Sequence, residues 1–242
     1  MEKSKFETLA PAWKSLYKVG GAGALIGLIF YLSQILIILF GEPYPTTTEE
    51  WFNLFTRSKP LGLFYLNALD MVSITLFALM FLALYVALRR ENESLMAIAI
   101  LLVSIGAAAF IASRSVTFSM ITLSDQYAVA TTQAEQSQIL LIGDAVGAQL
   151  VATPRTAGFL LISVAVLIIS VVMLRSQLFN KVTAVVGILS SIFVIALNIS
   201  VIIAPVLANP LMSISMLLWI LWLLLVALNL LQMGRLTSNE QG

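Results

Sequence analysis

Six long apolar runs constrain this 242-residue chain more than any other feature of its sequence. A membrane-spanning helix needs about 20 predominantly apolar residues, and the bilayer offers backbone N–H and C=O groups no water to bond with. We therefore expect each run to be helical, because the alternating pattern of a barrel strand is missing. The predicted fold class is all-α, a polytopic membrane helical bundle with six transmembrane helices at about 20–40, 61–88, 94–123, 157–174, 182–203 and 211–233.

The residues outside these runs are assigned by position. Residues 20–235 are predicted to form a single transmembrane domain, preceded by a cytoplasmic and interfacial segment, 1–19, and followed by a cytoplasmic tail, 236–242. The first run is too long for the apolar region of a cleaved signal peptide, and no small-x-small cleavage site follows it. It is therefore interpreted as a retained span.

Composition excludes several classes of protein. The chain is 60% hydrophobic and 10% charged, whereas soluble domains carry about 25% charged residues. A net charge of +1, without a basic stripe, argues against nucleic acid as a partner. The chain contains no Cys and no His, which excludes disulfides, thiolate chemistry and a Ser-His-Asp triad. No cofactor or metal is expected, and a non-enzymatic role is favoured while enzyme activity stays open.

The distribution of Lys and Arg predicts the orientation. With the N-terminus inside, nine of the thirteen basic residues fall on the cytoplasmic side, as the positive-inside rule requires. We therefore expect a multi-pass protein of the cytoplasmic membrane, with both termini in the cytoplasm. The nine are Lys3, Lys5, Lys14, Lys18, Arg89, Arg90, Arg175, Lys181 and Arg235.

Two connections on the opposite side carry helix signals. Residues 46–57, "TTTEEWFNLFTR", combine a Thr cap, early glutamates and an apolar group, which indicates a short helix lying on the membrane. Residues 124–154 form the outer segment, where Thr131, Thr132 and Glu135 resemble a capping box. We expect one or two helices there, covering the outer face, in preference to plain disorder.

Two opposite charges fall inside the apolar runs. Asp70 lies roughly 13 Å along the second run from its outer end, and Arg114 lies at the same level in the third run. An unpaired charge in the bilayer is costly, so each is expected to seek the bundle interior and the other charge. The alternatives left open are a structural clamp without ligand, a functional pocket, and a short third helix in which Arg114 reaches the interface.

Four further polar residues are expected near this pair. Asn67 lies about one helical turn before Asp70, and Gln34, Asn198 and Arg155 are placed in the same half of the membrane by their distance along their helices. All of them would line a polar cavity that opens outward and is covered by the outer segment. For Gln34 and Asn198 alone, ordinary hydrogen bonding between helices is the simpler interpretation.

Two stretches resemble a known family. They are "LSDQYAVATTQAEQSQILLIGDAVGA", residues 123–148, and "MLRSQLFNKVTAVVGIL", residues 173–189. From about residue 20 to 235 the chain resembles a family of bacterial and archaeal multi-pass membrane proteins defined only as a domain of unknown function. The resemblance implies a six-helix membrane protein with Asp125-Gln126-Tyr127 as a family feature, and it implies no activity, cofactor or catalytic residue.

Two functional hypotheses follow, with membrane lipid as the expected surroundings and no prediction of oligomeric state. The first is a protein that binds or transports a small solute or lipid through the polar pocket, with Arg114 as the anchor. The second is an intramembrane enzyme using Asp70 and a second carboxylate. A non-catalytic assembly or sensing subunit is a third alternative.

Overall fold

The computed structural model describes residues 11–66, 68–149 and 153–236, and all regular secondary structure in these ranges is helical. This confirms the all-α prediction. The described ranges contain ten α-helices, numbered here in chain order: α1 Lys14–Phe40, α2 Thr48–Arg57, α3 Lys59–Tyr65, α4 Leu69–Leu88, α5 Glu93–Ser113, α6 Ser115–Val129, α7 Gln133–Ala148, α8 Thr153–Met173, α9 Lys181–Ile203 and α10 Ala208–Leu236.

Six stretches of the described chain are long and apolar enough to cross a membrane, as predicted. Each run supplies the length that a crossing requires, since a helix rises 1.5 Å per residue and the hydrocarbon core is about 30 Å thick. The protein is therefore a multi-pass membrane protein. The six stretches are Lys14–Ile37, Leu69–Leu88, Glu93–Val129, Thr156–Met173, Lys181–Val201 and Pro205–Arg235.

Two of the predicted helices are interrupted, which corrects the sequence-based expectation. The run 61–88 does not form one helix, because a turn before Leu69 separates α3 from α4. The run 94–123 is broken at Arg114, where the regular α-helical hydrogen bonding is interrupted. The Arg114 N–H donates to the Ile111 carbonyl at 3.0 Å, three residues back in place of four. Apolar composition continues across both breaks, so composition alone could not reveal them.

The outer segment also differs from its predicted bounds. Its first residues belong to α6, which continues to Val129, and α7 follows after a short turn. The predicted caps are confirmed. Thr132 accepts a hydrogen bond from the Glu135 N–H while the Glu135 carboxylate accepts one from the Thr132 N–H, and Thr47 and Glu50 do the same at the start of α2.

The described residues divide into two compact units. The first unit contains the residues up to Leu28, Ser73–Ala108 and those from Gly158 onward. Its helices approach closely at glycines: a Cβ at Gly20 would lie 2.7 Å from that of Ala83, and one at Gly21 would lie 2.8 Å from Leu231. Such close approach through small residues is typical of helix packing in membranes.

The second unit contains Ile29–Val72 and Ala109–Ala157. Its core is the apolar face of α2, packed against α6 and α7, and that face is therefore covered by protein and not, as expected from the sequence, by the membrane surface. The Ser124 hydroxyl adds a hydrogen bond of 2.9 Å to the Phe52 carbonyl of α2. The buried members of this core are Trp51, Phe52, Leu54, Phe55, Tyr65, Leu66, Val116, Met120 and Leu123.

Candidate functional site

Three of the predicted polar residues meet inside the second unit. The Gln34 amide of α1 donates to Asp70 Oδ1 at 3.0 Å. The other carboxylate oxygen, Oδ2, lies 3.6 Å from Arg114 Nη2. This distance makes an ion pair but exceeds that of a direct hydrogen bond. The charge pairing expected from the sequence is therefore present, and Gln34 is its third member.

Burial and an aromatic ring complete the surroundings of Arg114. Only 4% of its side chain is exposed, against 17% for Asp70. The guanidinium carbon lies 4.7 Å from the centroid of the Phe110 ring, a cation–π contact that is strongest when water is excluded. Sequence reasoning missed Phe110, although its position four residues before Arg114 places both on one helix face.

Both charges lie at helix ends. Asp70 lies in the first turn of α4, where the partial positive charge of the helix N-terminus favours a carboxylate. Arg114 lies directly between α5 and α6. The partial negative charge at the C-terminus of α5 favours a cation there, whereas the partial positive charge at the N-terminus of α6 disfavours it. The ion pair, the Phe110 ring and burial therefore contribute to holding Arg114 in place.

The helix breaks allow a second position for the pair in the membrane, besides the predicted depth of 13 Å. The 20 residues of α4 rise about 30 Å, which is already the thickness of the hydrocarbon core. The 21 residues of α5 are likewise enough to cross the hydrocarbon core. Asp70 begins the first of these helices and Arg114 follows the second, so neither needs to lie 13 Å inside. Helix length thus also allows a position for both at the edge of the hydrocarbon.

The other predicted residues do not add to this cluster as described. Asn198 belongs to the first unit, and its amide donates to the Val194 carbonyl of its own helix at 2.8 Å. This is the local hydrogen bonding expected of a polar residue in a membrane helix. Asn67 lies outside the described residues. Arg155 lies in α8, but its side chain is outside the described part of the structure.

The cluster has a defined chemical capacity. A guanidinium carries five N–H donors in a planar fork that suits carboxylate and phosphate groups. Gln34 is 3% exposed, and its Oε1 accepts no hydrogen bond from the described residues. The buried guanidinium therefore suits a ligand with an acidic group, whereas Gln34 Oε1 could accept a hydrogen bond only from an N–H or O–H group of that ligand. Among the described residues no group of acidic side chains could hold a metal ion.

Charged and hydroxyl contacts connect the helices of the second unit at its surface. Lys59 Nζ lies 2.7 Å from Asp125 Oδ2, which gives the acidic residue of the Asp125-Gln126-Tyr127 segment a partner. The Tyr127 hydroxyl donates to Glu49 Oε1 at 3.3 Å. Thr48 donates to Asp144, joining α2 to α7. Sequence spacing gave no signal for these contacts, because they join residues far apart in the chain.

Comparison with known proteins gives one match. A family model described as a domain of unknown function, DUF4386, matches residues 52–228. The matched region includes Asp70 and Arg114 but begins after Gln34. No curated protein and no solved structure matches the chain.

Proposed function

This chain belongs to the family of the domain of unknown function DUF4386, a description that assigns no activity, and we propose that it binds the acidic group of a membrane lipid or small solute at Gln34, Asp70 and Arg114. In this proposal the ligand's phosphate or carboxylate takes the place of Asp70 beside the guanidinium. Asp70 then serves as the internal counter-ion of the empty site.

The observation that carries the proposal is the geometry of the ion pair. A guanidinium and a carboxylate that form a permanent clamp favour two parallel hydrogen bonds shorter than 3 Å. Here the nearest approach is 3.6 Å, while the other carboxylate oxygen is held by Gln34 at 3.0 Å. A looser internal pair is more easily exchanged for an external acid, because less interaction energy must be replaced.

Helix length supports a lipid as the source of that acid. The lengths of α4 and α5 favour a position for the cluster at the edge of the hydrocarbon, which is where phospholipid phosphates lie. A small anionic solute would reach the same position from water. Phosphate and carboxylate present the same chemistry to Arg114, so the experiment must distinguish the two sources.

The enzyme hypothesis receives less support. It requires a second carboxylate that shares a water molecule with Asp70. Asp70 Oδ1 accepts a hydrogen bond from the Gln34 amide, and Oδ2 forms the ion pair with the Arg114 guanidinium. These groups suit ion binding better than proton transfer.

The proposal includes a position in the cell. We propose six crossings of the cytoplasmic membrane of a bacterium or archaeon, with both termini in the cytoplasm. The excess of Lys and Arg supports this orientation. The Arg89 guanidinium lies 5.9 Å from the Trp13 ring, which is consistent with the N-terminal segment and the turn after α4 lying on one side of the membrane.

Lipid retention in the purified protein tests the proposal. The protein is exchanged into phosphatidylcholine detergent micelles with and without phosphatidylglycerol, and bound lipid is counted by native mass spectrometry. Separate samples receive inorganic phosphate or succinate, with thermal stability as the measurement. Arg114→Gln removes the anchor, and Arg57→Gln is the matched control, because Arg57 is an exposed cation of the same unit paired with Glu42.

We expect the unmodified protein and Arg57→Gln to retain phosphatidylglycerol and Arg114→Gln to lose it. Stabilisation by phosphate or succinate that disappears only in Arg114→Gln would assign the site to a solute. If Arg114→Gln retains lipid and responds to both anions as the unmodified protein does, the pair is a structural clamp and the proposal is wrong.

A further inference from the structure

Helix α7 changes character halfway along its length. Its first half, from Gln133 to Gln138, is polar and carries Glu135, whose carboxylate is held in the capping box at the helix start. Its second half, from Ile139 to Ala148, contains Asp144 as its one charged residue. A helix that is polar at one end and apolar at the other fits a boundary between water and oil.

The second half is apolar on both sides. One side packs within the unit: Ile139, Leu140 and Val146 contact the buried core, and Gly143 lies directly against Thr48 and Phe52. The other side is open. Leu141 is 69% exposed and Ile142 is 44% exposed. A soluble surface helix would place polar residues there.

The single charge of this half is directed to the protein. Asp144 accepts a hydrogen bond from the Thr48 hydroxyl of α2. Ala145 is exposed beside Leu141, and a Cβ at Gly147 would meet nothing within 4 Å. Asp144 is also exposed, and apart from this residue the open side of the second half is apolar.

Chain connectivity says what covers this face. The 16 residues of α7 rise about 24 Å, and the next stretch able to span the membrane begins at Thr156, shortly after α7 ends. The apolar end of α7 is therefore the end closest in sequence to a membrane span, and its polar start is the end farthest from that span.

We propose that the second half of α7 is immersed in the surface of the bilayer, with Leu141, Ile142 and Ala145 against lipid acyl chains, while its first half stays in water. This follows from helix length and exposure and does not depend on the ligand of Arg114. A lipid surface fits this face better than a protein partner, because the face is small, its residues Leu141, Ile142 and Ala145 are apolar, and a short connection joins it to a membrane span.

Site-directed spin labelling tests the immersion, and the absence of cysteine from the chain makes single-site labelling direct. Four exposed positions form a series along the segment: Thr131→Cys, Gln138→Cys, Leu141→Cys and Ala145→Cys. Each nitroxide-labelled full-length protein is placed in phosphatidylcholine nanodiscs. Its collision rates with oxygen, which concentrates in lipid, and with a water-soluble nickel chelate are then measured. Ile142→Cys replaces Leu141→Cys if that variant does not fold.

We expect the ratio of oxygen to nickel accessibility to rise several-fold from position 131 to position 145. Equal ratios at all four positions would overturn the proposal, because the whole helix would then lie in water. Protection of positions 141 and 145 from both reagents would also overturn it, since a protein surface would then cover the face.

Discussion

At the scale of single residues, the carboxylate of Asp70 and the guanidinium of Arg114 differ in how they respond to losing the other. An aspartic acid can take up a proton and become neutral, whereas an arginine cannot be deprotonated in a protein. Asp70 also keeps the Gln34 amide as a partner, and its side chain is more exposed. Removing the Asp70 carboxylate should therefore lower the stability of the protein more than removing the Arg114 guanidinium.

We predict that Asp70→Asn destabilises the protein by about 3 kcal/mol, because it leaves a buried guanidinium without its counter-ion. Arg114→Gln should cost less, and the double variant should cost less than the sum of the two. The measurement is the free energy of unfolding in detergent for the four proteins of the cycle. Additive effects would contradict a direct interaction between the two side chains.

The sequence predicted part of this cluster. Burying Asp70 and Arg114 without a partner is so costly that their pairing followed from their presence alone. Gln34 was expected nearby but not as a donor to Asp70. Phe110 was missed, since aromatic residues are common in these apolar runs and only the spacing of four residues from Arg114 distinguishes this one.

At the scale of elements, the contact between α2 and α7 depends on a glycine. A Cβ at Gly143 would lie 2.6 Å from the Phe52 ring, whereas one at Gly147, a turn later in the same helix, would meet nothing. The two positions thus separate the packing effect of a methyl group from its effect on helix propensity.

We predict that Gly147→Ala raises stability by up to about 1 kcal/mol, because alanine is the better helix former. Gly143→Ala should lower stability by about 1–3 kcal/mol, because the added methyl overpacks the contact with α2. Melting temperatures of the two variants in one detergent check the opposite signs. Shifts of equal sign would mean that α2 does not pack against Gly143.

The two capping boxes predict a dependence on pH. Hydrogen bonds from the backbone N–H groups of Thr46 and Thr47 lower the pKa of Glu50, and those of Thr132 and Thr131 lower the pKa of Glu135. A carboxylate with a lowered pKa stabilises the folded state at neutral pH, and this contribution is lost as the pH falls through that lowered pKa.

Amide hydrogen exchange at the first turns of α2 and α7 should therefore speed up in acid relative to matched variants. Glu50→Gln and Glu135→Gln are those variants, since glutamine preserves the capping geometry but does not titrate. At each pH, the exchange rate of the unmodified protein is divided by that of the variant. A ratio that stays constant from neutral to acidic pH would contradict the assigned role of the caps.

Local signals explain why these caps, and not the helix breaks, were predicted. Thr132 and Glu135 interact across three residues, so the pattern is complete within a short stretch of sequence. The turn before Leu69 depends on packing within the second unit, where Tyr65 donates to the Glu42 carbonyl at 2.7 Å, far back in the chain. No local pattern records that contact.

At the scale of the whole molecule, the distribution of Lys and Arg predicts the orientation in the membrane. Thr131 and Glu91 are both exposed, and the positive-inside rule puts them on opposite sides of the membrane. We predict that a membrane-impermeant maleimide labels Thr131→Cys in intact cells and labels Glu91→Cys only after permeabilisation. Labelling in the reverse order would invert the proposed topology.

The break at Arg114 bears on how the protein is synthesised. The apolar stretch Glu93–Val129 has 37 residues, nearly twice what one crossing needs. The translocon could therefore insert any of many segments of it, each long enough for one crossing. An arginine at the centre of an inserted segment raises the free energy of insertion by about 2.5–3.5 kcal/mol. This disfavours segments centred on Arg114 and favours a segment that ends just before it. A single charge thereby selects which part of the nascent chain is released into lipid.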